Sequence, residues 1–197
     1  MSSKSALRIF LRKQRQDFVK KRLSNEISYE NAALQKVTSL FESGICVAGY
    51  CAVGGEAHVT ALLSLATQTG CTTALPFIAN KDSQIVFRTW SVGETLQQAA
   101  FGFQQPLKDS HAITPDIILT PLVGFDRALN RLGQGAGHYD RAFAVWPDAL
   151  RIGIAWSAQE VVSIPADPWD VPLDAVLTEA EWITATHSRL KAPTSQE

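Results

Sequence analysis

The chain has 197 residues, with 18 Lys and Arg against 19 Asp and Glu, and a formal net charge of −1. Its hydrophobic fraction of 46% and charged fraction of 19% are typical of a globular protein and exclude wholesale disorder. The balanced charge argues against a general nucleic-acid binder, which needs an excess of basic residues to neutralise phosphates. It leaves room for a small local anion site.

The first elements along the chain are two predicted helices. Residues 4–22 form a helix with one apolar and one basic side, and its apolar side carries Leu7, Phe10, Leu11 and Phe18. Ser28 is the expected N-cap of a second helix, which ends at Gly44. The inner face of that helix is formed by Ala33, Val37, Leu40 and Phe41.

After residue 44, strand patterns alternate with helix patterns. The apolar runs predict strands at 45–53, 71–78, 84–90, 117–123, 151–156 and 175–178. Helices are expected at 59–69 and 138–146, and a turn at 80–82. This alternation is typical of an α/β fold with a mainly parallel central sheet flanked by helices on both faces. We expect one domain, residues 1–186, followed by a frayed polar tail, residues 187–197.

The cysteines and the apolar runs indicate where in the cell the protein is expected. Cys46, Cys51 and Cys71 form no CxxC pair, and the four histidines make no zinc-type cluster with them. We interpret all three as reduced, buried thiols, with a reactive nucleophile as the alternative. No signal peptide is expected, and the longest apolar runs are too short to cross a bilayer. We therefore expect a soluble cytoplasmic protein with no membrane or nucleic-acid partner.

A glycine-rich loop between a strand and a helix is the most informative segment. Gly133, Gly135 and Gly137 lack Cβ atoms, so backbone N–H groups can converge on one ligand. The helix that begins near Gly137 adds the positive end of its dipole, and Arg131 adds a planar cationic donor. These features favour phosphate, although the spacing matches neither the dinucleotide motif nor Walker A. A glycine-rich turn without a ligand is the alternative.

The same region resembles the 5-formyltetrahydrofolate cyclo-ligase family. The resemblance is carried by Pro121-Leu122-Val123-Gly124-Phe125-Asp126 and by Asn130-Arg131-Leu132-Gly133-x-Gly135-x-Gly137-x-Tyr139-Asp140-Arg141. It extends to Lys4-x-x-x-Arg8, to Glu56 and to residues 171–179, and so covers nearly the whole chain.

The resemblance implies an enzyme, its substrates and its cofactor. Members of the family close the N5-formyl group of 5-formyltetrahydrofolate onto N10 and convert ATP to ADP and phosphate through a phosphorylated formyl group. Such a reaction needs charge stabilisation and positioning more than a protein nucleophile. The implied partners are 5-formyltetrahydrofolate and ATP, the implied cofactor is Mg²⁺, and the expected state is a monomer.

The resemblance also assigns roles to individual residues. Catalysis is assigned to Lys4 and Arg131. ATP binding is assigned to Lys4, Arg8, Arg131, Gly133, Gly135, Gly137 and Tyr139. Folate binding is assigned to Cys51, Glu56, Gln134, Gly135, Ala136, Gly137 and His138. Mg²⁺ binding is assigned to Asp140 and Asp174.

Each role has an alternative that the residues alone leave open. Lys4 and Arg8 fit a solvated basic face, and Glu56 fits an exposed turn. Asp140 fits a partner of the helix dipole, and Asp174 fits a loop cap. Four aromatic side chains fit either the walls of a folate site or the core: Phe87, Trp90, Phe101 and Phe103.

Two positions depart from the family pattern. Many members have glycine or lysine where Ala136 stands, and tyrosine where His138 stands. Histidine titrates near neutral pH, so we hypothesise that His138 contacts folate and makes activity sensitive to pH. Two other functions stay open: a non-catalytic folate or nucleotide binder of the same fold, and a different α/β enzyme such as a relative of sugar-phosphate isomerases or CoA-transferases.

Overall fold

The computed structural model describes residues 4–22, 29, 31–80, 83–99, 102–186 and 188–190. Its helices are Lys4–Lys20 (α1), Asn31–Thr38 (α2), Thr60–Gln68 (α3) and His138–Val145 (α4). Its strands are Cys46–Ala48 (β1), Thr72–Phe77 (β2), Val86–Thr89 (β3), Gln97–Gln98 (β4), Gln104–Gln105 (β5), Ile117–Pro121 (β6), Gly124–Phe125 (β7), Arg131–Leu132 (β8), Leu150–Ile154 (β9), Ala175–Leu177 (β10) and Trp182–Ile183 (β11).

Seven strands form the central sheet, in the order β11-β10-β9-β6-β1-β2-β3. The five inner strands are parallel, and β3 and β11 pair antiparallel at the two edges. Two short hairpins, β4 with β5 and β7 with β8, lie outside this sheet. The predicted α/β class with a mainly parallel sheet is confirmed.

Both faces of the sheet are buried, as parallel strands require. On one face Val47 and Leu119 pack in a core cluster with residues of α2 and α3. On the other face Ala48 and Ile118 pack in a second cluster with Phe143 of α4. The prediction of helices on both faces is confirmed. Strands β1, β2, β6 and β10 contribute to both clusters because their side chains alternate between the two faces.

Helix α1 differs from the predicted amphipathic helix. Leu11 is fully buried, but Phe10, which was expected on the apolar side, is 60% exposed. The buried side of α1 instead includes Arg15, which is 4% exposed. Its guanidinium donates hydrogen bonds to the carbonyl oxygens of Gly54 and Leu122 and lies 3.8 Å from the Glu56 carboxylate, so the buried charge has backbone and carboxylate partners.

Several strands are shorter than predicted. The run 45–53 contributes only three residues to β1, since residues 49–51 leave the sheet and turn towards a cleft. The expected N-cap Ser28, turn residues 81–82 and tail residues 187 and 191–197 lie outside the described part of the chain. Within that part, no helix is long and apolar enough to span a membrane.

Candidate active site

A cleft of about 670 Å³ opens at the carboxyl ends of β1, β2 and β6. This is the edge at which open α/β sheets bind their ligands. Tyr50 and Cys51 follow β1, and Pro121 ends β6. The first turns of α1, the glycine loop and the start of α4 complete the walls.

The glycine loop lines this cleft in a conformation that requires glycine. Gly135 has φ +109° and Gly137 has φ +67°, both in the region that side chains disfavour. A Cβ on Gly133 would lie 2.7 Å from Nη1 of Arg131. Gly137 is the N-cap of α4 and provides no side-chain cap, so the positive end of the helix dipole faces the cleft without a competing side-chain acceptor.

Arg131 is held rigidly beside this loop. Its side chain is 5% exposed, and Nη2 donates a hydrogen bond of 2.8 Å to Oδ1 of Asp140. The guanidinium carbon lies 5.7 Å from the ring centre of Tyr139 and 5.6 Å from that of Phe143. Among the described residues its buried Nε has no hydrogen-bond partner. A fixed cation with a spare donor is suited to an anionic ligand oxygen.

Helix α1 brings two of the predicted cations into the cleft. Nζ of Lys4 lies 2.6 Å from Asp167 and 2.5 Å from Asp170. Burial alone would lower the pKa of Lys4, but hydrogen bonds to Asp167 and Asp170 outweigh it and raise the pKa above its usual value. Nε of Arg8 donates to the carbonyl oxygen of Gly133 at 2.8 Å. The N-terminal helix is therefore attached directly to the glycine loop.

Asp167 and Asp170 are cleft residues that the sequence did not predict. They precede β10 in a segment that also places the largely exposed Trp169 in the cleft wall. Their partner Lys4 lies more than 160 residues away in sequence. The only local signal is a pair of acids in a proline-rich stretch, which by itself predicts a surface loop.

Glu56 is the buried acceptor of the cleft. The residue is 5% exposed, and its carboxylate accepts hydrogen bonds from the Val53 N–H and from Nε2 of Gln134. Nη1 of Arg15 lies 3.8 Å away. Burial raises the pKa of Glu56, and the Val53 N–H and Arg15 oppose that rise only partly. A buried carboxyl group at the wall of a cleft can fix a ligand that presents N–H donors.

A second group of residues that line the cleft is apolar. It includes Pro76, Ile78, Ile85 and Phe103. Cys51 also lines the cleft, where burial raises the pKa of its thiol to about 11. The thiol is therefore protonated at neutral pH, which argues against the nucleophile alternative. Of the other aromatic candidates, Phe87 is fully buried in the core and Phe101 lies outside the described residues.

His138 lies at the rim of the cleft, in the first turn of α4. Its Nδ1 lies 3.0 Å from Nη2 of Arg141. Burial lowers the pKa of His138, and the positive charge of Arg141 lowers it further. A lowered pKa favours the neutral imidazole, whose Nδ1 can accept a hydrogen bond from the guanidinium. Ala136 and Gln134 line the same rim.

The predicted metal pair is not brought together. Asp140 lines the cleft in the first turn of α4. Asp174 lies at the amino end of β10, where Arg189 binds both its carboxylate and the carbonyl oxygen of Pro147, beyond the far end of α4. Asp140 lies in the first turn of α4 and Pro147 follows its last residue, Val145, so the two lie at opposite ends of the helix.

This separation argues against Asp174 as a ligand of the same ion as Asp140. A single Mg²⁺ binds its ligands at about 2.0–2.1 Å, so one ion cannot contact both carboxylates in this arrangement. Asp174 is also satisfied: its side chain is 6% exposed and accepts hydrogen bonds from the Arg151 N–H and from Arg189. We therefore assign Asp174 a structural role, and among the described residues no cluster of three metal-binding side chains is present.

Comparisons with known proteins show which family the chain is similar to. The 5-formyltetrahydrofolate cyclo-ligase family model matches residues 1–179. A 5-formyltetrahydrofolate cyclo-ligase of Haemophilus influenzae is 35% identical over 47% of this chain and 53% of its own length. The enzyme of that name from Escherichia coli K12 is 30% identical over 69% of this chain and 80% of its own length.

The solved structures extend the similarity to the fold. One solved structure is that of a 5,10-methenyltetrahydrofolate synthetase from Aquifex aeolicus, whose sequence is 28% identical to this chain. The two structures match with a TM-score of 0.70 over 98% of this chain and 99% of that one. The family match covers well over half of the chain, and it includes the glycine loop, Arg131 and Glu56. The chain belongs to the 5-formyltetrahydrofolate cyclo-ligase family.

Proposed function

We propose that this chain converts 5-formyltetrahydrofolate to 5,10-methenyltetrahydrofolate with ATP, releasing ADP and phosphate. The observation that carries the proposal is the meeting of two unlike halves in one cleft. A cationic loop with the buried, spare donor of Arg131 lies beside an apolar half with the buried acceptor Glu56. Two substrates of matching chemistry would therefore meet at the boundary between the halves.

The cationic half fits the triphosphate of ATP. The N–H groups of Gly133–Gly137 and the start of α4 would bind phosphate oxygens, together with Arg8 and Arg131. Lys4 would approach the phosphates from α1, and Asp167 and Asp170 hold its ammonium at the cleft wall. Tyr139 supports Arg131 through its ring face.

The apolar half fits the folate. Glu56 would accept hydrogen bonds from the N–H groups of the pterin, and Gln134, which now donates to Glu56, would give way to them. Cys51, Phe103 and the neighbouring aliphatic side chains would pack against the flat rings. The rim residues Ala136 and His138 lie where the folate would leave the cleft.

The chemistry follows from this placement. The formyl oxygen attacks the γ-phosphorus, the bond to the β-γ bridging oxygen breaks, and ADP leaves. N10 then attacks the activated formyl carbon and loses its proton, and departure of phosphate with the former formyl oxygen gives the methenyl product. Arg131 would stabilise the charge on the transferring oxygens. Binding of both substrates side by side in one cleft would supply the proximity that the reaction needs.

We propose that Mg²⁺ binds with the ATP phosphates at Asp140. The carboxylate of Asp140 is a hard oxygen ligand at the start of α4, within the cleft and beside the phosphate loop. One or two carboxylates with phosphate oxygens and water are a usual magnesium site. The ion would neutralise charge on the phosphate oxygens. Arg131 keeps the Asp140 carboxylate in place by its hydrogen bond.

The proposal is tested by turnover of purified protein with 5-formyltetrahydrofolate, ATP and Mg²⁺. We expect absorbance of the methenyl product to grow only when ATP is present, with one ADP released for each product molecule. Omission of Mg²⁺, or addition of a chelator, should remove most of the rate. Absence of ATP-dependent product at every pH between 6 and 8 would exclude the proposed function. This pH range includes the ordinary pKa of histidine, about 6.5.

We also propose that residues 1–186 fold as one domain, and that the protein is a cytoplasmic monomer without a nucleic-acid partner. The central sheet supports the first part, because strands from residue 46 to residue 183 pair in one sheet. Light scattering coupled to size-exclusion chromatography tests the monomer, with a mass near 21.5 kDa expected and a multiple of it as the contrary result.

A further inference from the structure

The cations that line the cleft differ in their partners. Lys4, Arg8, Arg131 and Arg141 all contribute to its walls. Lys4 and Arg131 each have a carboxylate within hydrogen-bonding distance. Within the described part of the chain, Arg8 and Arg141 form no ion pair. Two guanidinium groups therefore face the cleft with uncompensated charge.

Arg8 is held against the glycine loop. It bonds to the carbonyl oxygen of Gly133, and its guanidinium carbon lies 3.5 Å from the place of a Cβ on Gly135. Arg141 occupies a different place, on the first turn of α4 after the loop. Its donors reach the carbonyl oxygen of Ala136 at 3.1 Å and Nδ1 of His138 at 3.0 Å. Neither acceptor carries a negative charge, so they orient the guanidinium without cancelling its charge.

Arg141 lines the same cleft as several apolar side chains. Ala144, one turn further along α4, lines the same cleft, and so do Ile85 and Phe103. A cation at the exposed rim of an apolar wall fits a ligand with a flat, apolar middle and an anionic end. The triphosphate of ATP does not have this form, and its charge is matched by the glycine loop, Arg8 and Arg131.

We infer that Arg141 binds a carboxylate of the glutamyl tail of the folate substrate, and that His138 orients it. The inference rests on the proposed function and adds a specificity residue to it. In 5-formyltetrahydrofolate the pterin is followed by a flat aminobenzoyl group and then by glutamate, so a pterin at Glu56 with its ring system along the apolar wall leads the tail to the rim. The planar guanidinium can bind a carboxylate through two parallel hydrogen bonds. His138 is then a positioning residue that acts through Arg141.

The test compares two ligands that differ only in the tail. Binding of 5-formyltetrahydrofolate and of 5-formyltetrahydropteroate, which lacks glutamate, is measured by calorimetry without ATP, for wild type and for Arg141→Ala. We expect the substitution to weaken binding of the complete folate by about 10-fold, as for a charged hydrogen bond at a partly exposed site. Binding of the pteroate and of ATP should be unchanged.

Two further variants make the result specific. Arg141→Lys keeps the charge without the planar fork and should recover part of the lost affinity. Arg127→Ala removes an arginine that is 55% exposed and bonded to Glu160 and Glu181 away from the cleft, and it should leave all three affinities unchanged.

The inference is overturned if Arg141→Ala weakens both folate ligands equally, or if it weakens ATP binding instead. It is also overturned if the substitution leaves the preference for the glutamylated ligand intact in an enzyme that still turns over. These outcomes differ from failure of the proposed function, in which the wild type itself forms no methenyl product from either ligand.

Discussion

Replacement of Arg131 by alanine tests the phosphate half of the cleft. The side chain is 5% exposed, is bonded to Asp140, and retains a buried Nε donor without a partner among the described residues. A hydrogen bond from such a cation to a phosphate oxygen contributes about 1.5–3 kcal/mol. Loss of that bond should therefore lower kcat/KM for ATP by about 10- to 150-fold.

The matched control is Arg151→Ala. Arg151 places its guanidinium 5.4 Å from the ring centre of Phe143, nearly the same distance as Arg131, but it does not line the cleft. Both substitutions remove a cation–π contact with Phe143, worth about 0.5–2 kcal/mol, and Arg131→Ala also removes the contact with Tyr139. Only the substitution of Arg131 should change the kinetics with ATP.

Initial rates with varied ATP and saturating folate provide the assay, and circular dichroism during heating checks that each variant is folded. Arg131→Lys should be intermediate, because it keeps the charge and loses the fork. A folded Arg131→Ala enzyme with kcat/KM within about 3-fold of wild type would refute the role of this guanidinium, since that change is below 1 kcal/mol. An equal loss in Arg151→Ala would indicate a packing effect.

Three further predictions concern the cleft and its limits. Glu56→Gln should weaken folate binding. Burial raises the pKa of Glu56, so ionisation of this group in wild type destabilises the fold. The free energy of unfolding of Glu56→Gln relative to wild type should therefore rise as pH increases above 4.5. Gly135→Ala should cost about 1–3 kcal/mol through its positive φ and should weaken ATP binding. Asp174→Asn should leave kcat/KM within about 2-fold and lower stability, whereas Asp140→Asn should lower activity and raise the requirement for Mg²⁺.

Each of these has a contrary result. For Glu56, the contrary result is a difference in the free energy of unfolding between Glu56→Gln and wild type, measured with urea, that stays constant with pH. For Gly135, the control Gly93→Ala has φ +99° and open space around its Cβ, and equal losses of ATP affinity in both variants would exclude a role of the loop. For Asp174, loss of Mg²⁺-dependent activity without loss of stability would restore it to the metal site.

The contribution of Asp174 to the stability of the fold should change with pH in a direction that its pKa determines. Burial would raise its pKa, but hydrogen bonds from Arg189 and the Arg151 N–H outweigh burial and hold the pKa below 3.8. The ionised group therefore stabilises the fold above pH 3.8, and this contribution is lost as pH falls through the lower, folded-state pKa. Urea unfolding from pH 7 to pH 3 should show the difference between wild type and Asp174→Asn shrink towards the acid end.

Local pattern predicted the parts of the site that lie close together in sequence. The glycine spacing, the helix start and Arg131 fall within one short segment, so their convergence depends on a single turn. The strand runs predicted the sheet because continuous apolar sequence is required where both faces are covered. The strand ends were less predictable, since residues 49–51 are as apolar as β1 but serve the cleft.

Long-range geometry decided the rest. Periodicity counts apolar residues, and it cannot indicate that Arg15 would be buried beside Glu56 while Phe10 is exposed. Nothing near Lys4 in sequence indicates Asp170 as its partner. Asp174 directly precedes β10, and the parallel pairing of β10 with β9 puts it at the edge of the sheet opposite to the carboxyl ends, which the motif alone does not indicate.

The most direct measurement follows the formyl oxygen. Transfer of the γ-phosphoryl group to that oxygen is the step for which the cleft brings the two substrates together. With 5-formyltetrahydrofolate labelled with heavy oxygen in the formyl group, single-turnover reaction with ATP should place the label in inorganic phosphate, one atom per product, as detected by phosphorus NMR. Label released into water, with unlabelled phosphate, would contradict phosphoryl transfer to the formyl group.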